Sequence, residues 1–272
     1  MAHKTLIDGT AYAVKGGREL IGGTGYAKKK GRVLLNGTGY DIPFSSGIPI
    51  GTLPVGSVVK IGVNGKSYDF LVVNQGIPSN SSLYDSSCDG TWLLMRDIYE
   101  KRQWSAINSN VLENSTIQSY LNSTFLNLID SDVGGAIKQV KIPYRKDGNG
   151  GPNQSGANGL SCKILLLSGY EVGWTTNDNI YFPVDGAKLS YFETGNGGYA
   201  LSKRIANLGG AATEWWLRSP YTISGNVWSV RNSGQYGDWT EPVQSLGVRP
   251  AFTLPATFPV IQNPDGTYSP AA

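Results

Sequence analysis

Histidine is almost missing from this chain: of 272 residues only His3 is one, close to the N-terminus. Imidazole is the usual general base and the commonest metal ligand, so a Ser-His-Asp or Cys-His site is excluded. Cysteine is nearly as scarce, and Cys88 and Cys162 fit neither a zinc pattern nor a CxxC redox motif. A disulfide between them is open but not implied. HExxH, Walker A and strand-linked GxGxxG motifs are all lacking, which removes support for metalloprotease, nucleotide and dinucleotide chemistry. No stretch approaches the roughly 20 apolar residues of a membrane helix, and the N-terminus has no charged-then-apolar signal. The expectation is a protein made in a cytoplasm without a signal peptide, with no membrane span, no metal and no cofactor.

Charged residues are also few, 16% of the chain, while 36 glycines and 14 prolines favour short strands and turns over long helices. With 40% apolar residues the chain has enough for an ordinary core, and the fold class expected is α+β, β-rich. The net charge of +3 is uneven. Lys4, Lys15, Arg18, Lys28, Lys29, Lys30 and Arg32 crowd the first 47 residues against Asp8, Glu19 and Asp41. These cations sit beside turn glycines, where solvated side chains are the ordinary outcome, so nucleic acid is not the expected partner.

A repeat of period 14 occupies that basic segment. Leu6-Ile7-Asp8-Gly9-Thr10-Ala11-Tyr12, Leu20-Ile21-Gly22-Gly23-Thr24-Gly25-Tyr26 and Leu34-Leu35-Asn36-Gly37-Thr38-Gly39-Tyr40 each centre on a dipeptide suited to a two-residue hairpin turn. The repeat predicts six short strands in three hairpins, and a sheet this small is marginal unless it packs on something. Residues 1–47 are therefore expected to form an anchoring or oligomerisation module. Residues 48–56, with Pro49 and Pro54, read as a linker; residues 57–255 read as the main domain and 256–272 as an exposed tail.

Within the main domain, Val58-Val59-Lys60-Ile61 and Tyr68 to Val73 flank an Asn64-Gly65 turn and predict a hairpin. Trp92 to Met95 and Ile164 to Leu167 read as buried strands. Ser115-Thr116-Ile117-Gln118 is a capping-box pattern, and Ile117, Leu121, Phe125 and Leu128 supply a helical stripe behind it. A second short helix is expected over Ala136 to Val140. Residues 145–161 read as a Gly- and Asn-rich loop, without the glutamate that an EF-hand needs at Asn158.

The last quarter carries the strongest functional signal. Glu214 to Pro220 and Gly247 to Phe252 bracket a segment rich in Tyr, Trp, Ser, Gly and Asn, a composition that gives large rigid contact area with adaptable hydrogen bonding. Trp215 and Trp216 are adjacent on an expected strand and so face opposite ways; together with Arg218 and Arg249 they are assigned structural roles, with Glu214 as the strand-edge carboxylate for an arginine such as Arg218 or Arg249. Tyr221, Asn226, Trp228, Arg231, Asn232, Tyr236, Asp238 and Trp239 are the expected ligand-binding residues. Glu171, Asp178, Asp185, Glu193, Glu214, Asp238 and Glu241 are the carboxylates from which a glycosidase-like pair would have to come, and none is singled out by its neighbours.

The pair Trp215-Trp216-Leu217-Arg218-Ser219-Pro220 and Gly247-Val248-Arg249-Pro250-Ala251-Phe252, with Trp92 to Met95, Asn114 to Leu128 and Lys163 to Ser168, resembles the DUF6273 domain of bacteria and phages. That resemblance implies a C-type-lectin-like or sulfatase-modifying-factor-like fold. Formylglycine-generating enzymes share the fold but use a close C-terminal cysteine pair, and no cysteine follows Cys162, so their activity is not carried over. The fold also displays the variable segment of diversity-generating retroelement proteins, where residues 221–246 would lie, and the 14-residue repeats are similar to those of phage structural proteins. Together these imply a non-enzymatic virion protein, of tail or capsid surface, bound to other virion proteins through residues 1–47 and to a host-surface glycan or protein through its head. A trimer is the expected homo-oligomer by analogy. The alternatives are a decoration protein without ligand and an enzyme acting on a surface polysaccharide.

Overall fold

The computed structural model describes residues 47–79, 81–194 and 202–271, apart from the side chains of Ser81 and Asp238, together with the backbone of six strands between residues 3 and 43. Those six strands pair as three antiparallel hairpins. Ile7 stands opposite Thr10, Ile21 opposite Thr24 and Leu35 opposite Thr38, the register that the period-14 repeat predicts.

Two large sheets carry most of the rest, beside three two-stranded ladders among the described residues. An eight-stranded sheet, curled as a half-barrel, runs in the order Ile164–Leu165, Ala251–Leu254, Thr91–Met95, Lys66–Gln75, Val58–Val63, Tyr268–Pro270, Pro259–Gln262 and Ile48–Pro49. A five-stranded sheet runs Glu100–Gln103, Ser245–Val248, Trp215–Pro220, Val227–Val230 and Tyr236–Thr240. The hairpin turn between Val58–Val63 and Lys66–Gln75 has positive φ at both Asn64 (51°) and Gly65 (72°), as a type I′ two-residue turn requires.

The central strands are buried on both faces, which is why they read as continuous apolar runs rather than alternating ones. Along Thr91–Met95, Leu93 and Met95 enter one core while Trp92 and Leu94 enter the other; Phe70 and Val72 divide from Leu71 and Val73 in the same way. The first core is closed by Ile117, Leu121 and Phe125. Ser115 caps that segment by accepting from the Gln118 N–H at 3.2 Å, but the helical run changes pitch. It is α-helical over Thr116–Tyr120, π-helical over Leu121–Phe125 and 3-10 over Leu126–Leu128. Within the π turn, Asn122 accepts from the Lys163 and Ile164 N–H groups and donates to the Ile164 carbonyl, fastening the edge strand of the large sheet.

Several sequence expectations need correction. Residues 48–56 do not behave as a linker: Ile48–Pro49 pairs with Pro259–Gln262, and Ile50 and Leu53 lie in the core. The 256–272 tail is likewise a working part of the large sheet, with Val260 fully buried and Tyr268 paired in parallel with Val59. The second helix lies at Ser131–Ala136 rather than over Ala136 to Val140, because Val140–Ile142 is drawn into a ladder with Leu160–Cys162. Cys88 and Cys162, whose pairing the sequence leaves open, are both buried free thiols. Among the described residues no helix is long and apolar enough to cross a membrane.

Candidate functional site

The five-stranded sheet decides what the C-terminal segment can present. Trp215 and Trp216 are both fully buried, Trp215 in one core and Trp216 in the other. Each indole N–H reaches a carbonyl, Trp215 that of Arg204 (2.9 Å) and Trp216 that of Arg102 (2.8 Å). Two positions on, Arg218 uses all five of its N–H donors. They go to the carbonyls of Pro143, Leu166 and Asp185 and to both carboxylate oxygens of Glu171.

Glu171 is satisfied just as fully, accepting in addition from the Tyr84 hydroxyl (2.9 Å) and the Ser168 N–H (3.0 Å). Asp185 is the odd member of this group. Its Oδ2 accepts from Ser219 at 2.6 Å, its Oδ1 has no partner among the described residues, and burial pushes its carboxyl up to about 6. Glu171 and Asp185 are thus the two carboxylates that the structure brings together, but in a sealed core rather than a cleft. Arg218 takes Glu171, not Glu214, as its carboxylate; Glu214 instead accepts from the Ser229 hydroxyl at 2.5 Å. Arg249 has no carboxylate partner among the described residues; it lies 4.9 Å over the Trp215 ring and donates to the Met95 carbonyl.

The expected ligand-binding residues separate into two groups. Trp228, expected at the surface, is fully buried and stacked on Phe182 with ring centroids 3.8 Å apart; Tyr221 is buried beside it at 5.0 Å. Phe182 stacks in turn on Trp174, and Tyr236 meets Trp174, Phe182 and Trp228 edge-on. Such ring pairs each contribute about 0.5–1.5 kcal/mol beyond their buried area, so Trp228 and Tyr221 form a rigid platform rather than a contact surface. At its outer end stands Trp239, 5.6 Å from the Tyr221 ring and 66% exposed. The other six tryptophans are fully buried.

A β-bulge puts Trp239 there. Val227 pairs with Thr240 and Ser229 with Gly237, so two steps on one strand oppose three on the other, and the extra residue falls at Asp238-Trp239. Bulges re-aim side chains in this way. Gly237 makes the close approach feasible, because a Cβ there would overlap Ser229 Oγ.

Residues not expected from sequence complete this end of the molecule. The Asn110 amide, itself buried, donates to the Ser224 and Asn226 carbonyls at 2.8 Å and accepts from the Asn149 N–H, fixing the 221–226 loop. The Thr222 hydroxyl ties the same loop to the Tyr181 carbonyl at 3.0 Å. Beside these anchors Ile107, Ile180 and Ile223 are exposed. No periodic pattern marks them; isolated isoleucines among polar loop residues were the only sequence signal. Arg231 and Asn232 are exposed in the neighbouring turn, Asn226 is half-buried, and the Asp238 side chain lies outside the described residues. Among the described residues no group of three or more His, Cys, Asp or Glu side chains could hold a metal ion.

No curated protein and no solved structure matches the chain. A family model does match, the domain of unknown function DUF6273, over residues 89–256. That span runs from the Thr91–Met95 strand through Ala251–Leu254 and holds the Arg218 network, the aromatic platform and the Trp239 bulge. The large sheet extends beyond it on both sides, through Val58–Val63, Lys66–Gln75 and Pro259–Gln262. Since the match covers more than half of its length, the chain belongs to the DUF6273 family.

Proposed function

We propose that this chain is a non-enzymatic recognition protein of a phage particle, with a C-type-lectin-like head that binds a host-surface glycan or protein and a hairpin-repeat segment that attaches it to other virion proteins. The reading rests chiefly on one observation. Among seven tryptophans only Trp239 is exposed, and it is set out by a bulge on top of a packed aromatic platform.

A rigid aromatic loses little conformational entropy on binding, and exposed tryptophans on preorganised platforms are typical anchors of recognition surfaces. Ile180, Ile223 and Ile107 on the adjoining loops add apolar area, and Arg231 and Asn232 add polar contacts at its edge. The position of this surface in residues 221–246 also suits the variable segment of a retroelement-diversified binder.

The test is binding of the purified chain to host cells and to immobilised surface glycans and surface proteins, for wild type, Trp239→Ala and Ile223→Ser. Loss of about 30-fold or more in affinity for Trp239→Ala, the scale of a central aromatic anchor, is expected with unchanged circular dichroism. Undiminished binding by a folded Trp239→Ala variant overturns the reading.

A further inference from the structure

We propose that a second site, at the crossing between the two sheets, binds a small organic carboxylate of about monosaccharide size, one oxygen of which completes the guanidinium of Arg249. Arg249 and Pro250 join the Ser245–Val248 strand of the small sheet to Ala251–Leu254 of the large one. The Arg249 side chain is only 1% exposed and its Nη1 is buried with no partner among the described residues; the residue is part of the wall of a cavity of about 430 Å³. A cavity of that size lies in the ordinary range for small-molecule sites.

Charge around the cavity favours an anion. Its wall carries Arg96, Lys203 and Arg249 against Asp69 and Asp97. Arg96 and Asp69 pair with each other at 3.4 Å, Lys203 lies 3.7 Å from Glu193, and Asp97 accepts from the backbone and side-chain N–H groups of Asn207, which leaves Arg249 as the wall's cation without a carboxylate partner among the described residues. Burial pulls Arg249 down to about 10, against the opposing charges of Tyr191 and Asp97, so it remains a cation at neutral pH. A buried guanidinium with a free donor demands an acceptor. The two N–H groups of Nη1 can be met by a carboxylate, and the apolar wall of Leu71, Ile205 and Tyr191 suits the body of an organic acid better than a bare sulfate.

The site shares no residue with the Trp239 face and stands or falls separately from it. The experiment is titration calorimetry and ligand-observed NMR on the full chain with glucuronate and N-acetylneuraminate, using glucose, N-acetylglucosamine and inorganic sulfate as controls. Saturable binding of a carboxylated sugar is expected, at least about tenfold tighter than of its neutral counterpart or of sulfate. Ile205→Trp, which fills the cavity from its partly exposed wall, should abolish it, and Arg249→Lys should weaken it; Trp239→Ala should leave it intact. Where Arg249→Lys does not fold, Ile205→Trp decides. No saturable binding by the folded wild type, equal binding of neutral sugars or sulfate, or binding unaffected by Ile205→Trp would each overturn the assignment.

Discussion

Arg218 and Glu171 meet in a two-pronged contact, Nη1 to Oε2 at 2.5 Å and Nη2 to Oε1 at 2.7 Å, with both side chains sealed from solvent. The pair joins a strand of the small sheet to the segment after Ile164–Leu167, and through Tyr84 and Pro143 to two further segments. Glu171→Gln leaves a buried guanidinium without its counter-charge. Breaking a buried pair in this way costs about 3–5 kcal/mol, and we expect a loss of that size in urea unfolding followed by circular dichroism. A loss below about 1 kcal/mol, the value of a surface pair, would show that the core is wetter than its geometry implies.

Asp185 makes stability depend on pH in the direction opposite to most carboxylates. Its carboxyl is raised from 3.8 to about 6, chiefly by burial, so the folded state holds the proton more tightly than the unfolded chain. The stability it contributes is full below the unfolded value near 4 and is lost as pH rises through about 6. A shift of about two units corresponds to about 3 kcal/mol. Because other acids titrate in the same range, the measurement is the difference in unfolding free energy between wild type and Asp185→Asn across pH 4 to 8. That difference should move against the wild type as pH rises and flatten above about 7; a pH-independent difference would contradict the assignment.

Legibility from sequence followed the range of the interactions. Local chemistry was readable: Asn64-Gly65 specified its turn, Ser115 its cap, and the run Trp92 to Met95 its doubly buried strand. The inside and outside of residues 221–246 were not. Trp228 lies among turn formers and looks exposed, yet Phe182, 46 positions away in an aperiodic loop, stacks on it and draws it into the core. Glu171 as the partner of Arg218, and Asn110 as the clasp of the 221–226 loop, depend equally on pairings that no window of sequence contains. Trp239 was readable as a candidate but not as the exposed one, since the bulge that turns it outward arises from the register of two strands.

Both thiols should be inert in the native protein. Burial pushes Cys88 up to about 11 and Cys162 up to about 12, so neither is a thiolate near neutral pH. Native protein at pH 8 should react with less than one equivalent of Ellman's reagent over the time in which urea-unfolded protein reacts with two. Rapid labelling of either cysteine without denaturant would mean that the Val140–Ile142 and Leu160–Cys162 ladder opens readily.

The bulge at Asp238-Trp239 depends on Gly237, and fluorescence can follow it because a single tryptophan faces solvent. Acrylamide quenching of the native protein should report Trp239 alone, and Trp239→Phe should remove nearly all of the quenchable emission. An added Cβ at Gly237 would overlap Ser229 Oγ and crowd Glu214 Oε1 at 2.9 Å, breaking the hydrogen bond between those two groups. Overpacking of this kind costs about 1–3 kcal/mol, and the quenching constant of Trp239 should change as the bulge shifts. The cause can be isolated with Ser229→Ala, which removes the colliding hydroxyl. If the clash is what matters, Gly237→Ala should cost less in the Ser229→Ala background than in wild type, a coupling of at least about 0.5 kcal/mol. Strict additivity would place the origin of the bulge elsewhere in the Val227–Val230 and Tyr236–Thr240 pairing.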